Sequence, residues 1–451
     1  MVRKKKLNPA AQIAFGFLGI ILVGTLLLCL PISSNNGQWF SFIDGFLTST
    51  SSVCVTGLVV VDTAVHFSTF GQTVILILIQ IGGLGFITLT ALVFLVMGKK
   101  ITYETRVTMQ ENFNQEKVQG IVKLVKNIII LVFSVELIGF LCLLPSMVSL
   151  YGWADGWFKA LFLSISAFCN AGFDILGTTS TQFASLSVVA QNSLVILPIM
   201  FLVIIGGIGY IVLFDIGKKF KGEKFSLHSK IVLIITTVLI FGGAIAFALF
   251  EWNNPDTIGN MSTWNKIVNS FFQSVTPRTA GFANFDMSKL TPASVVLTDI
   301  FMFIGGSPGS TAGGIKTTTL LVLLISIFKS ENRNGNISFC KKKISSKMVK
   351  KSLRVIVCAI VLIIVSTLLL CSFEGGQVTP NEAFFESISA LSTVGLSMNL
   401  TPTLCAASKI VLTFLMFVGR VGAVTLTLAL ANRRYNISND IEYPDSKIMV
   451  G

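Results

Sequence analysis

The chain has 451 residues, of which 53% are hydrophobic and only 12% are charged, and its mean hydropathy is +0.79. This composition excludes an ordinary soluble domain and is typical of a polytopic membrane protein. The net charge of +13 could also suggest nucleic-acid binding, and the placement of the basic residues decides between a nucleic-acid-binding patch and the cytoplasmic segments of a membrane protein. Lys and Arg concentrate in polar segments between apolar runs, at 3–6, 98–127, 217–230, 329–354 and 433–451. By the positive-inside rule these segments and both termini are cytoplasmic, and no nucleic-acid partner is expected.

Motifs for metal, redox or nucleotide chemistry are missing from the sequence. The 8 cysteines and 2 histidines form no C-x-x-C pair and no histidine cluster, so neither a metal site nor a disulfide framework is predicted. Without a P-loop or a dinucleotide-binding glycine motif, we expect no cofactor in this chain and no enzymatic activity. Nucleotide control would require a second protein. The Lys-rich start lacks a convincing cleavage site and is interpreted as leading into a retained first helix.

Eight apolar runs reach the roughly 20 residues that a helix needs to cross a bilayer. They lie at 13–30, 73–97, 124–144, 188–216, 231–250, 293–328, 353–371 and 408–430. Four further apolar segments are too short to cross and are predicted to be re-entrant half-helices. These segments lie at 39–48, 157–167, 264–275 and 381–391.

The first repeat shows the order of elements most clearly. Pro31 stops the first helix, the re-entrant segment 39–48 follows, and a loop of small and hydroxyl residues closes at Gly57 before the chain crosses back. The same order recurs three times, with loops that close at Gly172, Gly281 and Gly395.

The repeats are assigned to 1–97, 98–216, 217–328 and 329–432, and a cytoplasmic tail occupies 433–451. Since each repeat crosses twice, the four are parallel and related by an axis along the membrane normal. Inverted repeats favour a carrier with a midplane site, whereas parallel repeats favour a central pore. We therefore predict an all-α polytopic membrane protein, in which four parallel repeats of helix, re-entrant pore helix with filter loop, and helix surround a pore.

The four loops are predicted to form a cation selectivity filter. A dehydrated monovalent cation needs oxygen ligands that replace its water, and a ring of backbone carbonyls provides them. The closing glycine allows backbone angles that turn the preceding carbonyls inward. The candidate filter residues are Val53, Cys54, Val55, Thr56, Gly57, Cys169, Asn170, Ala171, Gly172, Arg278, Thr279, Ala280, Gly281, Ser392, Thr393, Val394 and Gly395. The alternative interpretation is four ordinary turns between helices. Arg278 is expected to brace its loop from behind, against an acid or helix-end carbonyls.

The run at 293–328 is longer than a span needs and is rich in glycine at its centre, so a break within the membrane is predicted. Irregular backbone at that depth must be buried or line the permeation path, which indicates a gate. The candidate gate residues are Gly305, Gly306, Ser307, Pro308, Gly309, Ser310, Thr311, Ala312, Gly313, Gly314, Lys316 and Arg420. The alternative is a closely packed interface of small residues.

Arg420 takes the place of a glycine found in the other return helices, Gly83, Gly207 and Gly306. A charge inside the membrane costs about 2.5–3.5 kcal/mol on insertion scales, so Arg420 should face the pore or the broken segment and set an electrostatic barrier. Snorkelling or a salt bridge is the alternative. Glu136 is a comparable buried charge to which the sequence assigns no partner.

These motifs resemble the Trk/Ktr/HKT superfamily of potassium transporters, and more narrowly the membrane subunit of a bacterial Ktr system of the KtrB or KtrD type. The resemblance covers nearly the whole chain. It is carried by Thr56-Gly57-Leu58 with Val61-Asp62-Thr63, by Asn170-Ala171-Gly172-Phe173, by Thr276-Pro277-Arg278-Thr279-Ala280-Gly281-Phe282, by Gly395-Leu396 and by Gly419-Arg420-Val421-Gly422.

The resemblance implies a potassium-channel-like fold and a filter of four glycines that prefers K⁺ to Na⁺. It also implies an intramembrane gate in the third repeat with the arginine beside it. Members similar to this chain are homodimers in the bacterial cell membrane. They are held on a cytosolic, nucleotide-binding RCK ring of the KtrA or KtrC type, and their activity is often sodium-dependent.

Three functions are therefore compared. The leading one is channel-like, potential-driven K⁺ uptake gated by the separate cytosolic subunit. The second is a secondary carrier that symports K⁺ with Na⁺ or H⁺; parallel repeats and the lack of a paired midplane carboxylate count against it. The third is a non-conducting scaffold or the cation-binding subunit of a pump, in which four filter-like loops would have no use.

Overall fold

The computed structural model describes residues 9–85, 88, 91, 106, 119–220, 222–328, 337–339 and 342–422. Predictions for 86–97, for most of 98–118 and for 423–451, including the C-terminal tail, lie outside these residues. The described part is almost entirely helical. Short elements add to the predicted helices, among them a hairpin of two three-residue strands, Ile337–Phe339 and Lys342–Ile344, in a segment predicted only to be polar.

Each repeat opens with a long helix, here called its leading helix. These helices are Pro9–Cys29, the first part of Ile121–Cys169, Leu227–Glu251 and Ser346–Phe373. Each buries one narrow face and leaves large apolar side chains such as Leu26, Leu137 and Leu249 exposed. An apolar outer surface of this kind is suited to lipid. Among the described residues these four helices alone are long and apolar enough to cross a membrane singly.

The re-entrant pore helices are all present. They are Phe42–Cys54, the part of Ile121–Cys169 that follows Gly152, Thr263–Val275 and Pro380–Ser392. Gly152 has φ 76° and breaks the 49-residue helix at the predicted boundary between leading and pore helix. Thr379 and Glu382 form a capping box that begins the fourth pore helix. In contrast to the leading helices, the pore helices are largely buried towards their C-terminal ends.

The return helices differ from the prediction of three continuous spans and one broken span, because the first, second and fourth end or break at a glycine, while the third breaks after Phe303. They are Thr69–Leu84, Ser193–Ile208 with Tyr210–Lys219, Pro292–Phe303 with Thr317–Phe328, and Ala406–Val421. Gly85, Gly209 and Gly422 have φ of 81°, 102° and 90°. Left-handed backbone there ends a helix. The second return helix, predicted as one run over 188–216, bends by 99° at Gly209.

The helices close into a ring. The first and fourth pore helices pack on the leading and return helices of their own repeats, and the first, third and fourth pore helices pack on the return helix of the repeat before. The circle is completed where Ala406–Val421, at the end of the fourth repeat, packs on the first pore helix, Phe42–Cys54. Lys409 and Asp44 form a salt bridge of 2.7 Å across this seam. The four loops that follow the pore helices consequently meet at one axis.

Candidate functional site

The four loops share one backbone conformation. Two residues before the closing glycine, each loop has a non-glycine residue in the left-handed region: Val55 (φ 58°), Asn170 (φ 59°), Thr279 (φ 72°) and Thr393 (φ 52°). For β-branched side chains this conformation is a true outlier, with a cost of about 1–3 kcal/mol each. This conformation persists only where packing by neighbouring residues stabilises it. The repetition in all four loops therefore indicates a shape that packing imposes, which ordinary turns would not show.

A hydroxyl side chain fastens each loop, and these residues were missing from the predicted site. Ser51 and Ser389 accept from the N–H of Gly57 (3.0 Å) and Gly395 (3.1 Å). Ser166 and Thr276 instead donate to carbonyls just after the glycine, Phe173 O and Phe282 O, each at 2.6 Å. The signal in the sequence was a Ser or Thr five or six positions before every closing glycine.

The closing glycines meet one another around the axis. A Cβ placed on Gly57 would lie 2.7 Å from Ala171 O, and one on Gly172 would lie 2.9 Å from Ala280 O. A Cβ on Gly281 would overlap Val394 O, and one on Gly395 would overlap Thr56 O. The contacts run from repeat one to two, two to three, three to four and four to one. This closed ring leaves no room for any side chain but hydrogen.

Carbonyl oxygens line this ring without hydrogen-bond partners. In each loop the two carbonyls before the glycine accept no hydrogen bond from any described residue. They belong to Val55, Thr56, Asn170, Ala171, Thr279, Ala280, Thr393 and Val394. Buried carbonyls almost always find a donor in a protein. Four of these oxygens, those of Thr56, Ala171, Ala280 and Val394, lie against the closing glycines of the neighbouring loops. A dehydrated cation requires a set of such free oxygens as ligands.

A cavity of about 90 Å³ opens on one side of the ring and is lined by all four closing glycines. Two carboxylates line it as well. Asp62 is fixed by three backbone N–H groups, those of Ala64 (2.9 Å), Val65 (3.0 Å) and Phe183 (2.7 Å). For Asp174, burial first and then the nearby Asp62 charge raise the pKa to about 6, against the opposing effects of the Leu176 N–H, the Ser185 hydroxyl and Lys159.

The paired glycines of the return helices bring backbone against backbone behind the loops. A Cβ on Gly82, Gly206 or Gly419 would overlap a carbonyl at the end of a pore helix, Val53 O, Phe168 O or Leu391 O respectively. The repeated glycine motif therefore lets the first, second and fourth return helices pack directly on the base of a filter loop.

The break in the third return helix spans 304–316 and forms a loop on the other side of the ring. Ser307 N donates to Gly207 O (3.0 Å) and Thr311 N to Gly206 O (3.3 Å), while Tyr210 N donates to Gly309 O (2.9 Å). The bend at Gly209 frees the Tyr210 N–H for that bond. The second return helix thus holds the loop along one edge.

Two cationic side chains bind the carbonyls of this loop. Lys316 Nζ donates to Ala312 O (2.6 Å) and Gly313 O (3.3 Å). Arg420, from the fourth repeat, donates to Thr311 O and to Gly82 O in the first repeat. Three consecutive carbonyls, from Thr311 to Gly313, therefore accept hydrogen bonds from the protein's own cationic side chains. The loop lies against the fourth filter loop too, since a Cβ on Gly313 would overlap Thr393.

The comparisons with known proteins agree with this geometry. Residues 14–436 match the family described as "TrkH: Cation transport protein". The chain belongs to this family of cation transport proteins. It is 38% identical to the Ktr system potassium uptake protein B of Bacillus subtilis, over 100% of this chain and 98% of the relative. It is also 38% identical to the potassium/sodium uptake protein NtpJ of Enterococcus hirae, over 99% and 98% of the two chains.

A crystal structure of the potassium transporter TrkH from Vibrio parahaemolyticus has the same fold, with a TM-score of 0.68 and 18% identity over 95% of this chain and 86% of that one. The TrkH-family chain described here is accordingly a multi-pass membrane protein with four helix, pore helix, helix repeats. Its family transports cations and is not one of enzymes.

The other predicted residues of this TrkH-family protein have mixed outcomes. Cys54, Cys169, Arg278 and Ser392 occupy matching places three residues before the glycines. Arg278 is only 7% exposed, but its Nε has no partner and no described acid pairs with it, so the expected acidic brace is missing. Glu136, for which no partner was predicted, accepts hydrogen bonds from Gln80 and Cys169.

Proposed function

We propose that this protein takes up potassium ions through a carbonyl-lined selectivity filter formed by the four loops. The observation that carries the proposal is the closed ring of glycines with eight free carbonyl oxygens before them. Such oxygens replace the hydration shell of K⁺ without adding net charge to the pore. The names of the relatives in Bacillus subtilis and Enterococcus hirae, which include potassium uptake, support K⁺ as the transported ion.

The loop over 304–316 acts in this proposal as an intramembrane gate. Its support is its position, since it contacts the return helices of the second and fourth repeats and the fourth filter loop. Lys316 and Arg420 occupy carbonyls that a passing ion would otherwise meet. A cation leaving the filter must therefore displace the loop or pass close to two fixed positive charges.

In this proposal a separate cytosolic subunit, a nucleotide-binding RCK ring, controls the gate. The ring carries a homodimer of this chain. The homodimer lies in a bacterial cell membrane, with both termini of each chain in the cytoplasm. A relative named as protein B of a Ktr system supports a multi-component arrangement. The chain has no nucleotide-binding motif of its own.

The second candidate is a carrier that couples K⁺ to Na⁺ or H⁺. The relative named as a potassium/sodium uptake protein favours a role for Na⁺, and the buried carboxyl of Glu136 is a group that H⁺ could use. The deciding experiment measures ion flux and reversal potential in vesicles that hold the purified chain, under opposed K⁺ and Na⁺ gradients. A reversal potential that follows the K⁺ gradient alone supports the channel-like mechanism. One that moves with the Na⁺ or H⁺ gradient at fixed K⁺ supports the carrier.

Acidification should slow uptake at limiting K⁺ through Asp174. Because its pKa is raised to about 6, this carboxyl is charged at pH 7 and becomes protonated as the pH falls to 5. Loss of negative charge at the mouth lowers the local cation concentration, so we expect a several-fold drop in uptake over that interval. Asp174→Asn should be slow at both pH values. Asp256→Asn, at an exposed outer loop, is the matched control and should keep the wild-type pH profile. An unchanged profile in Asp174→Asn would remove Asp174 from this role.

A further inference from the structure

Glu136 lies inside the bundle although its neighbours face outward. Its side chain is 5% exposed, whereas Phe133 is 48% and Leu137 58% exposed. A carboxyl at this depth is costly unless its oxygens are satisfied. Glu136 is the one charged residue between Lys126 and Asp155, so its partners indicate its purpose.

Those partners come from two other parts of the ring. Glu136 Oε2 accepts from Gln80 Nε2 at 3.1 Å, and Oε1 accepts from the Cys169 thiol at 3.8 Å. The same thiol lies 3.9 Å from Gln80 Oε1. No described Lys or Arg forms an ion pair with the carboxyl. The first return helix, the second leading helix and the base of the second filter loop are thus joined by one small polar triangle.

The repeats show that the carboxyl is not needed to build the fold. In three repeats a pore-helix serine donates to the carbonyl of one leading-helix residue: Ser49 to Ile21 (2.7 Å), Ser164 to Glu136 (2.6 Å) and Ser274 to Ile240 (2.8 Å). Glu136 therefore occupies the place of two isoleucines.

Gln80 is equally unusual in its own position. It stands two residues before Gly82, the first of the paired glycines, and the matching residues in the other repeats are the apolar Ile204, Phe303 and Phe417. The polar pair is confined to one quarter of the ring, beside the second filter loop.

Cys169 transmits this contact to the filter. It ends the second pore helix and is followed directly by left-handed Asn170 and by Ala171, whose carbonyl abuts Gly57. Gly83 packs so closely that a Cβ there would overlap the Cys169 sulfur, so the thiol has no room to find another partner. A shift of Cys169 would move the Asn170 and Ala171 carbonyls towards or away from the axis.

We infer that Glu136 is a specificity-determining positioning residue, which acts through Cys169 and Gln80 to fix the radius at which the second loop presents its carbonyls. This inference rests on the proposed function. Removing the carboxyl leaves the Gln80 amide without its acceptor and the Cys169 thiol with only Gln80 Oε1 at 3.9 Å. The loop would then relax, and discrimination between K⁺ and Na⁺ would fall while the ring stays closed.

The test compares K⁺ and Na⁺ flux per inserted molecule for the full chain in vesicles. Glu136→Ile, which installs the residue of the matching places, should lower the K⁺/Na⁺ flux ratio by about tenfold, the effect of one unsatisfied buried polar group. Glu136→Gln keeps an acceptor for the thiol and should retain the ratio within about twofold. Leu137→Ile, on the exposed face one residue away, is the control and should not change it.

A wild-type ratio for Glu136→Ile overturns the inference, because a merely structural role would lower the amount of inserted protein and leave the ratio per molecule unchanged. An equal loss in Glu136→Gln also overturns it, since charge and not geometry would then be responsible. If Glu136→Ile does not insert into the membrane, Gln80→Leu replaces it in the test. A lowered K⁺/Na⁺ flux ratio then supports the inference, and a wild-type ratio overturns it. Absence of K⁺ preference in the wild type would instead refute the proposed function.

Discussion

Gly57→Ser is expected to lower the preference for K⁺ over Na⁺ by at least about tenfold while some cation flux remains. Gly57 has φ 103°, which an L side chain rarely adopts, and its Cβ would lie 2.7 Å from Ala171 O in the neighbouring loop. A strained residue costs about 1–3 kcal/mol, and the loop can relieve it only by moving the Thr56 and Gly57 carbonyls. The flux ratio in vesicles, normalised to inserted protein, measures this.

The matched control is Gly242→Ser in the third leading helix, where no atom lies within 4 Å of the added Cβ and φ is ordinary. It should keep the wild-type ratio. Gly395→Ala should be more severe than Gly57→Ser, because its Cβ would overlap Thr56 O. A Gly57→Ser protein with wild-type K⁺/Na⁺ discrimination would show that this ring is not the selective element.

Arg420→Ala is expected to raise K⁺ flux through the isolated chain about tenfold or more. The substitution removes a fixed positive charge and both hydrogen bonds that tie the loop at 304–316 to the first and fourth repeats. At low dielectric a like charge beside the path raises the barrier for a cation by several kcal/mol, and part of that barrier would be lost. The initial rate of K⁺ influx into vesicles without any partner protein is the measurement.

Arg420→Lys separates the two effects, because it keeps the charge and loses the forked donor geometry. Flux close to that of the wild type would assign the barrier to charge, and flux close to that of Arg420→Ala would assign it to the tether. Lys218→Ala removes a cation from an exposed helix end, 58% accessible, and should leave influx unchanged. If neither Arg420→Ala nor deletion of 307–312 alters influx, the loop is not a gate.

The sequence predicted the parts of the site that depend on local chemistry. Glycines at Gly57, Gly172, Gly281 and Gly395 and the break after Phe303 were recognisable because glycine and proline restrict which backbone shapes are available. The re-entrant helices followed from their length alone. The family resemblance pointed to the same fold, which the comparisons confirm.

The missed features depend on contacts between distant residues. An apolar run looks the same whether it is straight or bent, so the 99° turn at Gly209 was hidden in a continuous hydrophobic stretch. The partners of Glu136, Gln80 and Cys169, are 56 and 33 positions away, and no local sequence pattern indicates them. Arg278 was expected to brace its loop against an acid or helix-end carbonyls, and among the described residues no acid pairs with it and its Nε is unpaired.

The seam between Asp44 and Lys409 has a consequence for how the protein is made. These residues are 365 positions apart, and the helix Ala406–Val421 that covers the first pore helix is therefore synthesised long after that pore helix. Until then the buried serines and threonines of Phe42–Cys54 lack one of the helices that pack against them. The first repeat is therefore made before its ring partners exist, and the ring of four closing glycines first forms when the fourth repeat has been synthesised.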